Sequence, residues 1–155
     1  MKKISEHISY KEATHSATAK QLGISNKPSA KEIKNMELIA EKVFEPLRKW
    51  AGGPIKINSM FRSEEVNEAV RGSVRSNHLT GNAIDLTTLN GKSNAELFYY
   101  IKDNLDYHQL IWEFGSENPQ WIHVSYLSKK DNKKQALITK KKGKYFTFEN
   151  CIDCK

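Results

Sequence analysis

The 155-residue chain predicts an α+β fold, an antiparallel β-sheet with helices packed on one side. Three observations lead there. Apolar residues recur at intervals of three and four over one long stretch, they alternate with polar ones over several short stretches, and the connection GSENPQ between two of those suits an antiparallel link. The length fits a single domain spanning residues 1–155, long enough to bury a core without disulfides.

Taken in order, the segment up to about residue 28 is polar and weakly periodic, and SATAKQLGISNKP predicts a loop that closes at Pro28. A long helix follows. Ser29 and Glu32 form a capping box, Ile33, Met36, Ile39, Val43, Phe44, Leu47 and Trp50 make one apolar stripe, and Gly52 and Gly53 end it. Pro46 lies inside this pattern and predicts a kink, because it lacks a backbone donor and crowds the preceding turn. IKINSM is then a short strand, and after a turn through Arg62 a short helix starts near Ser63 and runs through EEVNEAVRG. The loop GSVRSNH leads into a second strand, AIDLTT. Ser93 and Glu96 open another capped helix with Leu97, Phe98, Ile101 and Leu105 facing inward. QLIWEF and WIHVSY are further strands, and QALITK with KYFTF completes a last hairpin.

The net charge of +7 is concentrated, with Lys129, Lys130, Lys133, Lys134, Lys140, Lys141, Lys142 and Lys144 crowding one stretch whose single acid is Asp131. Such a patch draws polyanions. Aromatic and arginine residues are not interleaved through it as a base-stacking platform requires, so anionic wall polymers are preferred to nucleic acid as its partner. No apolar run approaches the ~18 residues of a membrane span, and the N-terminal twenty residues lack a signal peptide's apolar stretch, so synthesis as a soluble cytoplasmic protein is expected. Cys151 and Cys154, in CIDC, are half of a zinc knuckle with no second pair, and read as free thiols.

Chemistry concentrates in SNHLTGNAID, residues 76–85. His78 and Asp85 are seven apart with Gly81 between them, so a loop at His78 can fold back and lead into the strand carrying Asp85. His123 sits in WIHVSY, where alternation puts Trp121, His123 and Ser125 on one face. Each residue alone is ordinary, and His123 by itself reads as a satisfied strand histidine. Together they match a catalytic zinc site, which takes three His or carboxylate ligands and keeps a fourth position open. His7, His15 and His108 read as surface or packing residues.

SNHLTGNAID resembles the SxHxxGxAxD signature, followed by a later histidine, of the zinc D-Ala-D-Ala carboxypeptidase family, metallopeptidase family fifteen, and is closest to its subfamily A type, small phage-associated and bacterial branch. The resemblance extends from ISEHIS through FRSEEVN and QLIWEFG to WIHVSY, about residues 3–127, leaving 128–155 as a basic C-terminal hairpin and tail. It implies a hedgehog/DD-peptidase-like fold, one Zn²⁺, and hydrolysis of an amide in a peptidoglycan stem peptide or cross-link. An endolysin is one form of such an enzyme; a non-catalytic wall-binding module with the same fold is the alternative. The resemblance makes His78, Asp85 and His123 the zinc ligands and puts Arg62 and Ser76 on the substrate-binding side, Arg62 as a substrate contact and Ser76 as a hydrogen-bonding support for the loop rather than a nucleophile. The family's tyrosine before that arginine is Phe61 here. Relatives place a glutamate or histidine shortly before the last ligand, but Trp121 stands two before His123, so the base falls to Glu113 or, second, Glu117. Trp112, Trp121 and Tyr126 read either as cleft walls or as packing. A monomer is expected, acting at the bacterial wall after release by phage lysis machinery or carriage in a virion.

Overall fold

The computed structural model describes residues 2–150, so Cys151 and Cys154 lie outside the described residues. The chain opens with a short antiparallel pair, β1 (Lys3–Ser5) and β2 (Ile8–Ser9), followed by helices α1 (Tyr10–Thr14) and α2 (Ala17–Leu22). The loop expected up to Pro28 therefore begins only at Gly23, whose left-handed backbone ends α2. Ser16 caps this helix by accepting the Ala19 N–H, and Ala19 alone is buried, so α2 has no apolar stripe for periodicity to reveal.

Helix α3 (Ala30–Ile39), a π-helical turn (Ala40–Phe44) and α4 (Glu45–Ala51) follow one another without a break. Ser29 and Glu32 close the expected capping box, and Gly52 ends α4 in the left-handed region. The kink expected at Pro46 takes the form of the π turn. The Glu45 N–H bonds to the Ala40 carbonyl, five residues back, and this wider turn accommodates the proline ring that a regular α turn would drive into the carbonyl four residues earlier.

Six strands form the main sheet: β3 (Ile55–Ser59), β4 (Ala83–Thr88), β5 (Gln109–Glu113), β6 (Trp121–Ser125), β7 (Gln135–Lys141) and β8 (Lys144–Thr147), in the order β3-β4-β6-β5-β7-β8. Helices α5 (Glu64–Ala69) and α6 (Asn94–Asn104) start, as expected, at caps formed by Ser63 and Ser93. Every neighbouring pair is antiparallel except β5 and β7, which run parallel with Leu110 beside Ala136 and Glu113 beside Thr139. The sheet is thus mixed rather than wholly antiparallel. The path of the chain explains it: β6 ends beside the start of β5, where the His108 N–H donates to the Ser125 carbonyl, and the chain then steps around that end, with Lys134 and Gln135 donating to Tyr107 and His108. A strand begun there runs in the direction of β5.

One face of this sheet is core. Ile84, Leu86, Leu110, Trp112, Ile122, Val124 and Ile138 pack with Ala13, Met36, Ile39, Val43, Phe44, Leu47, Leu97, Phe98 and Ile101 from the helices. Each fully buried aliphatic or aromatic side chain there contributes about 1.5–3 kcal/mol of burial free energy. Trp112 and Tyr126 belong to this core and wall no cleft. Among the described residues no helix is long and apolar enough to cross a membrane.

Candidate metal centre

His78 stands in a 3₁₀ turn, Asn77–Thr80, that Ser76 caps by accepting the His78 N–H at 3.2 Å. Gly81 then turns the chain into β4 with φ of 78°. No other residue fits there: a Cβ at Gly81 would lie 2.5 Å from the Glu32 carbonyl oxygen, against the start of α3. Asn35 and Asn82 tie this loop down, donating to the Thr80 and Tyr126 carbonyls at 2.8 and 3.0 Å.

The His78 ring is buried and its Nδ1 lies 2.6 Å from the Met60 carbonyl oxygen. A carbonyl can only accept, so Nδ1 carries a proton, and the neutral form of the ring has its lone pair at Nε2. That lone pair faces Asp85 Oδ1 at 3.2 Å. Two acceptors this close repel unless a second proton or a cation lies between them. His123 brings Nδ1 to 2.9 Å from the same Oδ1, because Asp85 and His123 are direct cross-strand partners on β4 and β6. One ligand atom from each of the three residues lies within 4.8 Å of the others, and the imidazole rings meet at 5.1 Å with planes 69° apart. Burial opposes the charge of Asp85, but the two imidazoles beside it, His78 first, favour the ionised carboxylate and hold its pKa far below the usual range. Two nitrogens and an oxygen, one of them with its tautomer fixed by a backbone carbonyl, are a donor set suited to zinc.

Glu113 lies on the same face of the sheet. It pairs with Trp121, while Ile111, two residues earlier, pairs with His123, so Glu113 is diagonal to His123 across β5 and β6. Burial pushes its carboxyl up to about 7, against the attraction of His123 and with the repulsion of Asp85. Glu117 is exposed in the loop after β5. Trp121 packs its ring edge-on against Phe114 at 5.3 Å and flanks Glu113.

Arg62 is built into the opposite margin. Its backbone N–H donates to the His78 carbonyl at 3.1 Å and its Nη2 to Ser76 Oγ at 3.2 Å, so Ser76 supports both the histidine turn and the arginine. Burial lowers the pKa of the guanidinium and the Asp85 charge opposes that fall, yet its buried Nε has no partner. Asn26 holds the turn in place by donating to the Phe61 and Thr14 carbonyls and accepting the Ser63 N–H. Gly72 borders the guanidinium, where a Cβ would lie 3.4 Å from Nη1 and 2.2 Å from Asn67 Oδ1. Phe61, in place of a tyrosine, is buried in the core.

Sequence reasoning overlooked two features. The Met60 carbonyl that orients His78 has no signature, since every residue owns a carbonyl. His7, read as a surface residue, meets Glu45 at 2.7 Å, and together with Glu6 these form a second, more exposed cluster of metal-ligand type. Only the pairing of β1 and β2 beside the long helix brings residues so distant in sequence together.

A fixed imidazole tautomer, a second imidazole, a shared carboxylate and a glutamate of raised pKa are the working parts of a metal-dependent hydrolase. The family model described as Peptidase M15 matches residues 6–125, most of the chain, and the chain belongs to that family. It is therefore a metallopeptidase of a zinc-dependent family associated with peptidoglycan-related substrates. No individual curated protein matches the chain. The family match ends at the last residue of β6, leaving β7 and β8 beyond it.

Proposed function

We propose that the protein is a zinc-dependent peptidoglycan peptidase that hydrolyses an amide of the stem peptide or cross-link, of the D-Ala-D-Ala carboxypeptidase or endopeptidase type, with His78, Asp85 and His123 as the zinc ligands. The observation that carries this reading is the lone pair of His78 Nε2 set against Asp85 Oδ1 at 3.2 Å with the His123 imidazole alongside, an arrangement that a cation satisfies. Zinc bound there supplies a Lewis acid that polarises the scissile carbonyl and acidifies water.

The chain's own residues supply the rest. Glu113, with its pKa raised to about 7, takes the proton of the attacking water at neutral pH and returns it to the leaving amine. The rigid strand beneath Glu113 favours it over Glu117 for this role. Arg62 has an unpaired Nε inside the site and directs its fork of donors at a substrate carboxylate or carbonyl. Ser76 holds that guanidinium by accepting from Nη2. The Lys129–Lys144 stretch offers a surface for anionic wall polymers, and the setting of the reaction is the bacterial wall, reached during phage lysis or from a virion.

Two measurements test this together. Metal analysis should return one zinc per chain, and mass spectrometry of digested muropeptides should show new amine termini beside D-alanine. Retention on purified walls without any cleavage sinks the enzyme in favour of a wall-binding module.

A further inference from the structure

We propose that the Tyr145 hydroxyl is a substrate-contacting hydrogen-bond donor of the peptidase centre, delivered by the β7–β8 hairpin. The proposal rests on the peptidase reading above and adds a residue outside the segment that the family match covers.

Strand registers place it. Leu137 pairs with Thr147 and Ile138 with Phe146 between β7 and β8. Ile138 faces the core, and Phe148, two residues beyond Phe146, packs against Phe98 and Trp112 there. Alternation along β8 therefore turns Tyr145 to the opposite face, which carries Asp85, His123 and Glu113. On that face Thr139 of β7 lies directly beside Glu113 of β5, and the Thr139 hydroxyl bonds to the Lys144 carbonyl at 2.7 Å, next to Tyr145. β8 lies two strands from β5, about 10 Å across the sheet, and a tyrosine side chain covers more than half of that.

A second contact closes the same end of the cleft. Lys142, at the hairpin tip, reaches the Val70 carbonyl at 3.5 Å, and Val70 stands two residues before Gly72, which borders the Arg62 guanidinium. The hairpin thus meets the segment flanking Arg62. Burial, followed by the charges of Glu113 and Asp85, raises the Tyr145 pKa, so the phenol stays a donor at neutral pH. With its ring half exposed, Tyr145 presents its hydroxyl to what enters the cleft and does not complete the core. A developing oxyanion or a substrate carbonyl is the acceptor such a donor serves.

The test uses Tyr145→Phe, which removes one oxygen from a half-exposed ring and leaves the fold intact, with Tyr99→Phe on α6 as the control. The first readout is the affinity of acetohydroxamate for the cobalt-substituted protein, followed by the visible absorption of the metal. Tyr145→Phe should weaken it about tenfold, equivalent to about 1.4 kcal/mol, and Tyr99→Phe should leave it unchanged. The second is kcat/KM on muropeptides, which should fall tenfold or more with metal content constant. Affinity within twofold of the parent overturns the inference whether or not the protein cuts muropeptides. Weakened affinity in a protein that cuts nothing upholds Tyr145 and overturns the peptidase reading, and failure to bind cobalt overturns both.

Discussion

The two faces of the central sheet are made by the same strands yet obey opposite rules. Along β4, Ile84 and Leu86 are fully buried among helices, while Asp85 between them turns to the other side and meets two imidazoles. Along β6, Ile122 and Val124 do the same around His123. The core face is apolar apart from the unpartnered indole N–H of Trp112, whereas the site face gathers a carboxylate, two imidazoles and an arginine nitrogen with nothing to bond. Apolar packing on one side holds unfavourable charge placement on the other. The stability of the fold and the reactivity of the site are separable by substituting neighbours in a single strand.

The sharpest separation is expected at Asp85. Asp85→Ala should abolish zinc binding and reduce peptide hydrolysis to background, a loss beyond about 10⁴-fold, while circular dichroism remains that of the parent. Glu113→Gln comes next. It should keep one zinc per chain and lose about 10²–10⁴ in kcat, and if it keeps full activity while Glu117→Gln is dead, the two glutamates exchange roles. On the other face, Leu86→Ala should cost about 2–5 kcal/mol in urea unfolding and leave the metal content of the folded fraction unchanged. Loss of zinc from that variant at temperatures where it stays folded would break the contrast between the faces.

The smallest effect concerns pH in chelated protein. The carboxyl of Glu113 has its pKa raised from 4.5 to about 7 on folding, so folding is favoured while it is protonated. That contribution is full below about pH 4.5 and is lost as pH rises through about 7, by of order 1 kcal/mol once solvent screening is allowed for. Glu113→Gln should match the parent's melting temperature near pH 4.5 and exceed it at pH 8. Asp85 works in the other direction, its depressed pKa giving stability that is lost on acidification.

Much of this was legible from residue order because the relevant signals are local. The Ser29–Glu32 box, the stripe from Ile33 to Trp50 and the terminating Gly52 announce the long helix, and alternation announces AIDLTT and WIHVSY. The signature run, with a histidine in a later strand, points to His78, Asp85 and His123, whose side chains the fold brings together. What escaped depends on distant pairing. Helix α2 buries only Ala19 and lacks a stripe, and the parallel docking of β7 on β5 depends on where β6 happens to end. KYFTF shows that two faces exist but not which faces Glu113, so Tyr145 became visible only once β7 had found its neighbour.

That parallel docking also governs what happens to a truncated chain. A fragment stopped where the family match ends, at Ser125, retains every proposed ligand but leaves β5 as an outermost strand, with the row of backbone donors and acceptors that β7 satisfies now bare. Ile111 and Trp112, buried in the whole chain, would lose their flanking strand as well. Such an apolar, unguarded border recruits strands from other molecules, and the expected fate of the shortened protein is self-association.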